Sequence, residues 1–387
     1  MTGRGQKLTI VHVFTHSSIT RGGAVQGLVL AEKQFEQGHS VFCVFHKPSG
    51  ASVDKTLQRT FPFPVFHMDM KNPFSYVRFA KFIQEFSPHV LHCHRNLALL
   101  FAFFSLRWIA RYRDTVLVVN RGTVYELPNI VVRRVFRSDG LDHIIAVAEA
   151  VKKTLVERDG ISPDKVTVIY GSYDESRFHE GVDGTNFRQE IGPSSDEKLI
   201  VCIAAVDRRK GLEYLARAVK IIRDKGAPVR CIVAGRIEDV EYHDKVLAEV
   251  KELNIGRCFV FLGHRDDVPE ILAAADVSVS ASVEGEGLTG ALRESLAMKK
   301  PVVATDVAGN GELITNGETG WLVPPKEPEL LARAIMEAIS NPEEAYKRAL
   351  KGYEKVRSLC SQERRYEMVM NLYYSLLSRK KLNWGKL

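Results

Sequence analysis

Short apolar runs alternate with stretches of helical periodicity along most of the chain. Residues 8–14, 41–45, 64–68, 90–94 and 115–120 are short and rich in β-branched and aromatic side chains, and read as strands. Residues 24–37, 74–86 and 97–106 read as helices, the first ended by Gly38. Farther on, residues 198–205, 277–281 and 301–304 read as strands. Residues 212–225 read as a helix with Leu212, Leu215, Val219 and Ile222 on one face. From Pro328 the chain is helical and polar, and Met370, Tyr373, Tyr374 and Leu377 recur at helical spacing. This alternation predicts an α/β protein with two doubly wound, mostly parallel sheets covered on both faces. Turn residues cluster at 180–186 and 192–196. The expected domains are therefore 1–179 and 180–361, followed by a terminal helical segment, 362–387.

The densest chemistry lies between the strands 277–281 and 301–304. There EGEGLTGALRE, residues 284–294, places a Gly-rich turn at the carboxyl end of a strand and opens a helix. Open α/β sheets bind ligands at such places. The amides of Leu288, Thr289 and Gly290, after Gly287, would be free to meet an anion. Glu286 stays in the loop, while Glu294 lies about two helical turns on, at ~3.6 residues per turn. The plainer reading is a surface loop with two solvated glutamates. A second turn, Asp207 to Gly211, sets Arg208, Arg209 and Lys210 at a helix start, a site for a diphosphate or simply a solvated basic turn. Gly22 and Gly23 open the first helix and permit close backbone approach. They do not form G-x-G-x-x-G, so a dinucleotide is not favoured. His92 and His94 share one strand face. A metal would need further ligands that the sequence does not reveal, so core histidines and cleft-facing histidines stay open.

Composition narrows the classes. The chain has 387 residues, 45% hydrophobic and 26% charged, as in an ordinary globular protein of two domains. A formal charge of +7 suits anionic ligands or anionic lipid. The arginines are scattered and lack interleaved aromatics, so nucleic acid is not an expected partner. The six cysteines form no C-x-x-C pair and read as buried free thiols of a reducing compartment. No signal peptide or spanning segment is apparent. A cytoplasmic protein is expected; residues 97–109 read first as a buried Rossmann helix, the alternative being a helix presented to the inner membrane face, as a peripheral contact, with the help of Arg133, Arg134 and Arg137.

EGLTGALRE from Glu286 to Glu294, then SLAMKKPVV, resembles the E-G-L-x-x-x-L-x-E-A-M-A-x-x-x-P-V-V signature of the retaining family-4 (group 1) glycosyltransferases. The resemblance runs on through residues 142–155, 165–178, 229–236, 258–267 and 305–325. It implies the GT-B fold, two Rossmann-like domains with a nucleotide-sugar between them, the last helix crossing back to the first domain. It implies Lys210 and Gly211 of a G-R-L-x-x-x-K-G motif at the donor diphosphate. The family arginine is Ala205 here, which leaves Arg209, or Arg208, to supply that charge. Glu294 would hold the ribose and Glu286 the donor sugar. Gly235, His264 and Arg265 would lie toward the nucleotide, and His94, Arg95 and Asn96 would line the acceptor or sugar side. Arg121 stands where many members have histidine, which blurs the donor sugar.

The expected activity is transfer of a sugar from a UDP-, GDP- or ADP-sugar to a hydroxyl acceptor, a lipid-linked or cell-envelope glycan. No cofactor is expected, and without a D-x-D motif no metal. An epimerase or phosphorylase on the same fold, or a non-catalytic nucleotide-sugar binder, are the alternatives.

Overall fold

The computed structural model describes residues 6–384, except 18, 20, 21, 59, 111, 113, 193–195 and 286, with the backbone alone for 381–384. Glu286, Arg111, Arg113 and part of the 15–21 loop therefore lie outside the described residues. Two compact units emerge, residues 1–171 with 362–387, and residues 172–361.

The first unit runs β1 (Thr9–Phe14), α1 (Gly22–Glu36), β2 (Ser40–His46), β3 (Val65–Met68), α2 (Pro73–Phe86), β4 (Val90–His94), α3 (Asn96–Phe104), β5 (Val116–Arg121), α4 (Ile130–Arg137), β6 (His143–Ala146), α5 (Glu149–Glu157) and β7 (Val166–Val168). The sheet is parallel, ordered β3-β2-β1-β4-β5-β6-β7. Its inner strands β1, β4 and β5 are buried along most of their length, as a sheet covered on both faces requires. Local signals set the ends. Asn72 accepts from the Phe74 amide and Pro73 opens α2; Ser87, at φ 41°, closes it before Pro88.

The second unit runs α6 (Thr185–Ile191), β8 (Lys198–Ile203), α7 (Leu212–Asp224), β9 (Val229–Ala234), α8 (Val240–Glu252), β10 (Phe259–Gly263), α9 (Val268–Ala274), β11 (Val277–Ser280), α10 (Gly290–Ala297), β12 (Val302–Thr305), α11 (Asn310–Leu313), β13 (Trp321–Val323), α12 (Pro328–Ser340) and α13 (Pro342–Cys360). Its parallel sheet is ordered β10-β9-β8-β11-β12-β13. The apolar face of α7 enters the core with Val233, Val277, Val303 and Ile335.

The last helix, α14 (Gln362–Trp384), belongs to the first unit. Val369, Met370 and Tyr373 pack on Ile10, Val90, Val116 and Val118. Each such side chain contributes about 1.5–3 kcal/mol by leaving water. Lys380 adds bonds to the Thr115 carbonyl at 2.7 Å and Asp142 at 3.0 Å.

Two details differ from the sequence reading. The unit boundary falls at Gly171–Ser172 rather than at Glu180, because the Tyr173 amide already bonds the Cys360 carbonyl at 3.2 Å within the second unit. The apolar helix 97–106 stops at Phe104 and continues as a π turn, Ser105–Ile109, which leaves Trp108 69% exposed. All six cysteines are free and buried. No helix among the described residues is long and apolar enough to cross a membrane.

Candidate functional site

In the second unit the carboxyl ends of β8 and β11 bring two turns together. After β8 the chain forms one 3-10 turn, Arg208–Lys210, capped by Asp207 through the Arg209 amide at 2.9 Å. Its basic side chains differ in their surroundings. Arg208 is exposed and pairs with Asp239 and Glu241, each at 3.1 Å. Arg209 folds back on Asp207, its Nη2 2.7 Å from Oδ2. Lys210 is half-buried at the end of the turn. Gly211 follows at φ 59° and leads into α7. The Val283 amide donates to the Arg209 carbonyl at 2.7 Å, so the basic turn and the segment after β11 are one bonded assembly.

That segment leads to α10. Leu288 and Thr289 are buried, and Thr289 stands at the N-cap. Its hydroxyl does not cap the helix but donates to Asn310 Oδ1 at 2.9 Å, while Asn310 Nδ2 donates to the Thr305 carbonyl at 3.0 Å. Among the described residues the first-turn amides of α10 thus have no side-chain cap at the positive end of the helix. Glu294 is half-buried, and its Oε1 lies 4.0 Å from the point a Cβ on Gly290 would occupy. Burial raises its pKa, Arg293 and Arg177 counteract, and Asp174 adds to the rise.

The remaining nucleotide-side expectations divide. Gly235 follows β9 where a Cβ would come 1.9 Å from the Ala204 carbonyl oxygen, so crowding by the chain just after β8 requires glycine there. His264 is exposed, 3.3 Å from Asp266. Arg265 is committed elsewhere. It grips Glu190 at 3.0 and 3.1 Å and Asp267 at 2.8 Å, and lies over the Phe187 ring. That arrangement holds α6 to the turn before α9.

In the first unit Gly22 and Gly23 form the start of α1. Open space lies above Gly22, and the His16 ring is 3.5 Å from a Cβ position on Gly23. Arg95 takes φ 85° as N-cap of α3, which begins at Asn96. Arg121, the last residue of β5, donates to the carbonyls of Tyr125 and Glu126. Burial lowers its pKa, Asp159 opposing and Arg95 adding to the fall.

His94 does not line a surface; it is 3% exposed. Parallel pairing of β1 with β4 sets His12 beside His92, and His94 follows on the same face. His12 Nε2 bonds Gln34 Oε1 at 2.8 Å and His12 Nδ1 bonds His94 Nε2 at 3.0 Å. Asn120 Nδ2 lies 3.2 Å from His94 Nδ1. The glutamine oxygen only accepts, so the proton sits on His12 Nε2. His94 Nε2–H then donates to His12, and Asn120 donates to His94. His92 Nδ1 meets the Tyr373 hydroxyl at 2.6 Å. Burial holds all three imidazoles neutral, His12 pushed down to about 4. Their ligand atoms lie within 4.8 Å, the spacing of a metal cluster. However, the ring planes are tilted by only 19–36° at centroid distances of 4.6–5.3 Å. Lone pairs in near-parallel rings do not converge on one ion. Gln34, His12, His94 and Asn120 form a hydrogen-bonded relay on one face of the sheet, and His92 lies beside it with its Nε2 unpartnered among the described residues. Sequence reasoning missed His12, Gln34, Arg293 and Asn310, and only the alternation of residues along β1 hinted at His12.

Residues 183–355 match the family model of glycosyl transferases group 1, and residues 20–177 that of glycosyltransferase family 4. The two matches account for most of the chain. It belongs to the group 1 glycosyltransferases. EpsD of Bacillus subtilis (strain 168), named as a glycosyltransferase, is 25% identical over 79% of this chain and 81% of its own. The lipopolysaccharide core biosynthesis mannosyltransferase LpcC of Rhizobium leguminosarum bv. viciae is 30% identical over 54% of this chain and 60% of its own. Among solved structures, Anabaena Alr3699/HepE in complex with UDP superposes with a TM-score of 0.82 at 19% identity, covering 95% of this chain and all (100%) of that one. The two parallel-sheet units of this glycosyltransferase are those of the GT-B fold.

Proposed function

We propose that this glycosyltransferase moves a hexose from a nucleoside diphosphate donor to a hydroxyl of a glycan or lipid-linked acceptor of the cell envelope, with retention at the anomeric carbon. The observation that carries the reading is the start of α10. Uncapped amides and the Glu294 carboxylate meet over Gly290, bonded through Val283 to the turn that holds Lys210. Phosphate oxygens would take the amides and Lys210, and ribose hydroxyls would donate to Glu294. As the glycosidic bond breaks, negative charge grows on the leaving diphosphate, and prearranged donors stabilise it without a metal ion. Glu286 would hold the donor sugar hydroxyls, and in the first unit Gly22 and Gly23 at the start of α1 would allow close approach of a ligand. Arg95, Asn96 and Arg121 would face the acceptor or sugar. The UDP in the HepE complex supports a nucleotide donor, and the name of LpcC supports an envelope acceptor.

Work at the cytoplasmic membrane face fits exposed Ile130 and Val131 on the helix that carries Arg134, and exposed Trp108. Flotation with anionic liposomes at low salt tests that contact, and absence of binding refutes it. The donor reading is tested by thermal shift against UDP-, GDP- and ADP-sugars, with and without EDTA. Stabilisation by one nucleotide class that survives EDTA supports it. No shift with any of them, in folded protein, refutes it.

A further inference from the structure

Arg293 is an unusual residue to find inside a protein. It lies in the first turn of α10 and is only 8% exposed. Arginine is almost never buried this far without a partner, because desolvating a guanidinium costs several kcal/mol unless an anion answers it. Here none does. Its Nε is buried with no hydrogen-bond partner, and among the described residues no carboxylate pairs with the guanidinium. Glu294 is its sequence neighbour, yet the two head groups do not bond. Both approach one point instead. Arg293 Nη2 lies 3.6 Å, and Glu294 Oε1 4.0 Å, from where a Cβ of Gly290 would be. The missing side chain leaves bare backbone close to both a cation and a carboxylate, at the positive end of an eight-residue helix whose N-cap side chain is engaged with Asn310.

The charges on the neighbouring turn make this cation matter. A nucleoside diphosphate brings two adjacent phosphates. Of the basic residues after β8, Arg208 already answers Asp239 and Glu241, and Arg209 answers Asp207. A buried guanidinium whose Nε has no hydrogen-bond partner, at the start of a helix without a side-chain cap, is arranged for an anion that arrives from outside.

We propose that Arg293 receives a phosphate oxygen of the donor diphosphate at the start of α10, completing the site with Lys210. The inference rests on the donor reading above. It adds one residue, one ligand group and one interaction. The phosphate is bound between the guanidinium and the Gly290 end of the helix, while Glu294 stays available to hydroxyls.

Calorimetric titration of the full-length protein with UDP, GDP and ADP first identifies the preferred diphosphate. The matching nucleoside serves as the phosphate-free probe. In Arg293→Gln the diphosphate is expected to bind about 10- to 100-fold more weakly, the range for a charge-assisted hydrogen bond, with nucleoside affinity unchanged. Arg293→Lys, which keeps the charge but not the fork, is expected to fall between the two proteins. Should Arg293→Gln fail to fold, Arg293→Lys alone carries the test: weaker diphosphate and unchanged nucleoside binding support the proposal. Equal diphosphate affinity in wild type and a folded variant overturns it and leaves the donor reading standing. Parallel loss of nucleoside and diphosphate binding, with a lower Tm, also overturns it, since that marks a packing role. If the wild type binds no nucleotide, the donor reading fails and this inference with it.

Discussion

Gly211 stands so close to Ala281 that a Cβ on it would lie 2.3 Å from the Ala281 carbonyl oxygen. The same Cβ would come 2.8 Å from Val283 Cγ1, and the residue sits at φ 59°. The contact welds the basic turn to the segment that leads to α10. Gly211→Ala therefore meets a backbone clash and a left-handed conformation, the latter alone costing about 1–2 kcal/mol. The expected result is a Tm lowered by roughly 3–8 °C and a larger loss of turnover, as Lys210 shifts away from the α10 amides. Differential scanning calorimetry and a turnover assay check it. Wild-type behaviour in both would show that the two turns are not coupled.

The reach of sequence reading follows from the same geometry. The alternation of short apolar runs and helices carried both sheets, because buried parallel strands are apolar throughout. The basic turn and the Glu286-to-Glu294 spacing were legible because their residues are neighbours in sequence. The relay was not, because His12 and His92 are 80 positions apart and meet only through strand register. Arg265 reads like a ligand residue until Glu190, 75 positions away, takes its guanidinium. Arg293 reads like a solvated helix residue, and only its burial reveals otherwise.

Glu294 predicts a pH dependence of nucleoside binding. Burial raises its pKa, and the proposed ribose contact needs the ionised carboxylate. Affinity is therefore full above that raised pKa and falls as pH drops through it, at a higher pH than an ordinary carboxylate would give. The nucleoside alone is the right probe, since it has no phosphate to titrate. Glu294→Gln should bind more weakly and show a flat profile between pH 4.5 and pH 8, roughly the span that brackets a carboxylate raised from its usual value. A wild-type profile equally flat over that span would remove Glu294 from the ribose.

The buried relay predicts acid sensitivity of the first unit. His12 titrates near 4 when folded, against 6.5 for the free side chain. The unfolded chain thus binds the proton first, so stability is complete above pH 6.5 and is lost as pH falls toward 4. Between pH 7 and pH 5 His12 alone accounts for about 2 kcal/mol. His92 and His94 shift in the same direction, and His143 on β6 is also pushed down to about 4 by burial. Nearby Arg365 on α14 further disfavours protonation of the relay. A Tm that falls by several degrees over this range, above most carboxylate titrations, is expected by circular dichroism. A Tm independent of pH there would mean the imidazoles are hydrated.

Lys210 separates catalysis from folding. It ends a half-exposed turn and is not part of the apolar core, which flanks the turn at Val206 and Leu212. Lys210→Ala should leave the Tm within about 2 °C of wild type, as surface substitutions usually do. Its proposed task is to meet charge that grows only as the diphosphate departs. An interaction that strengthens toward the transition state appears in turnover rather than in ground-state binding. Turnover should therefore fall by roughly 10²–10³, the scale of losing one prearranged donor to a developing anion. Donor affinity should change less, because α10 amides and Glu294 still hold the nucleotide. Kinetics at saturating donor, paired with calorimetry, measure the two effects separately. Equal losses in affinity and turnover would make Lys210 a simple binding residue, and no loss in either would remove it from the reaction.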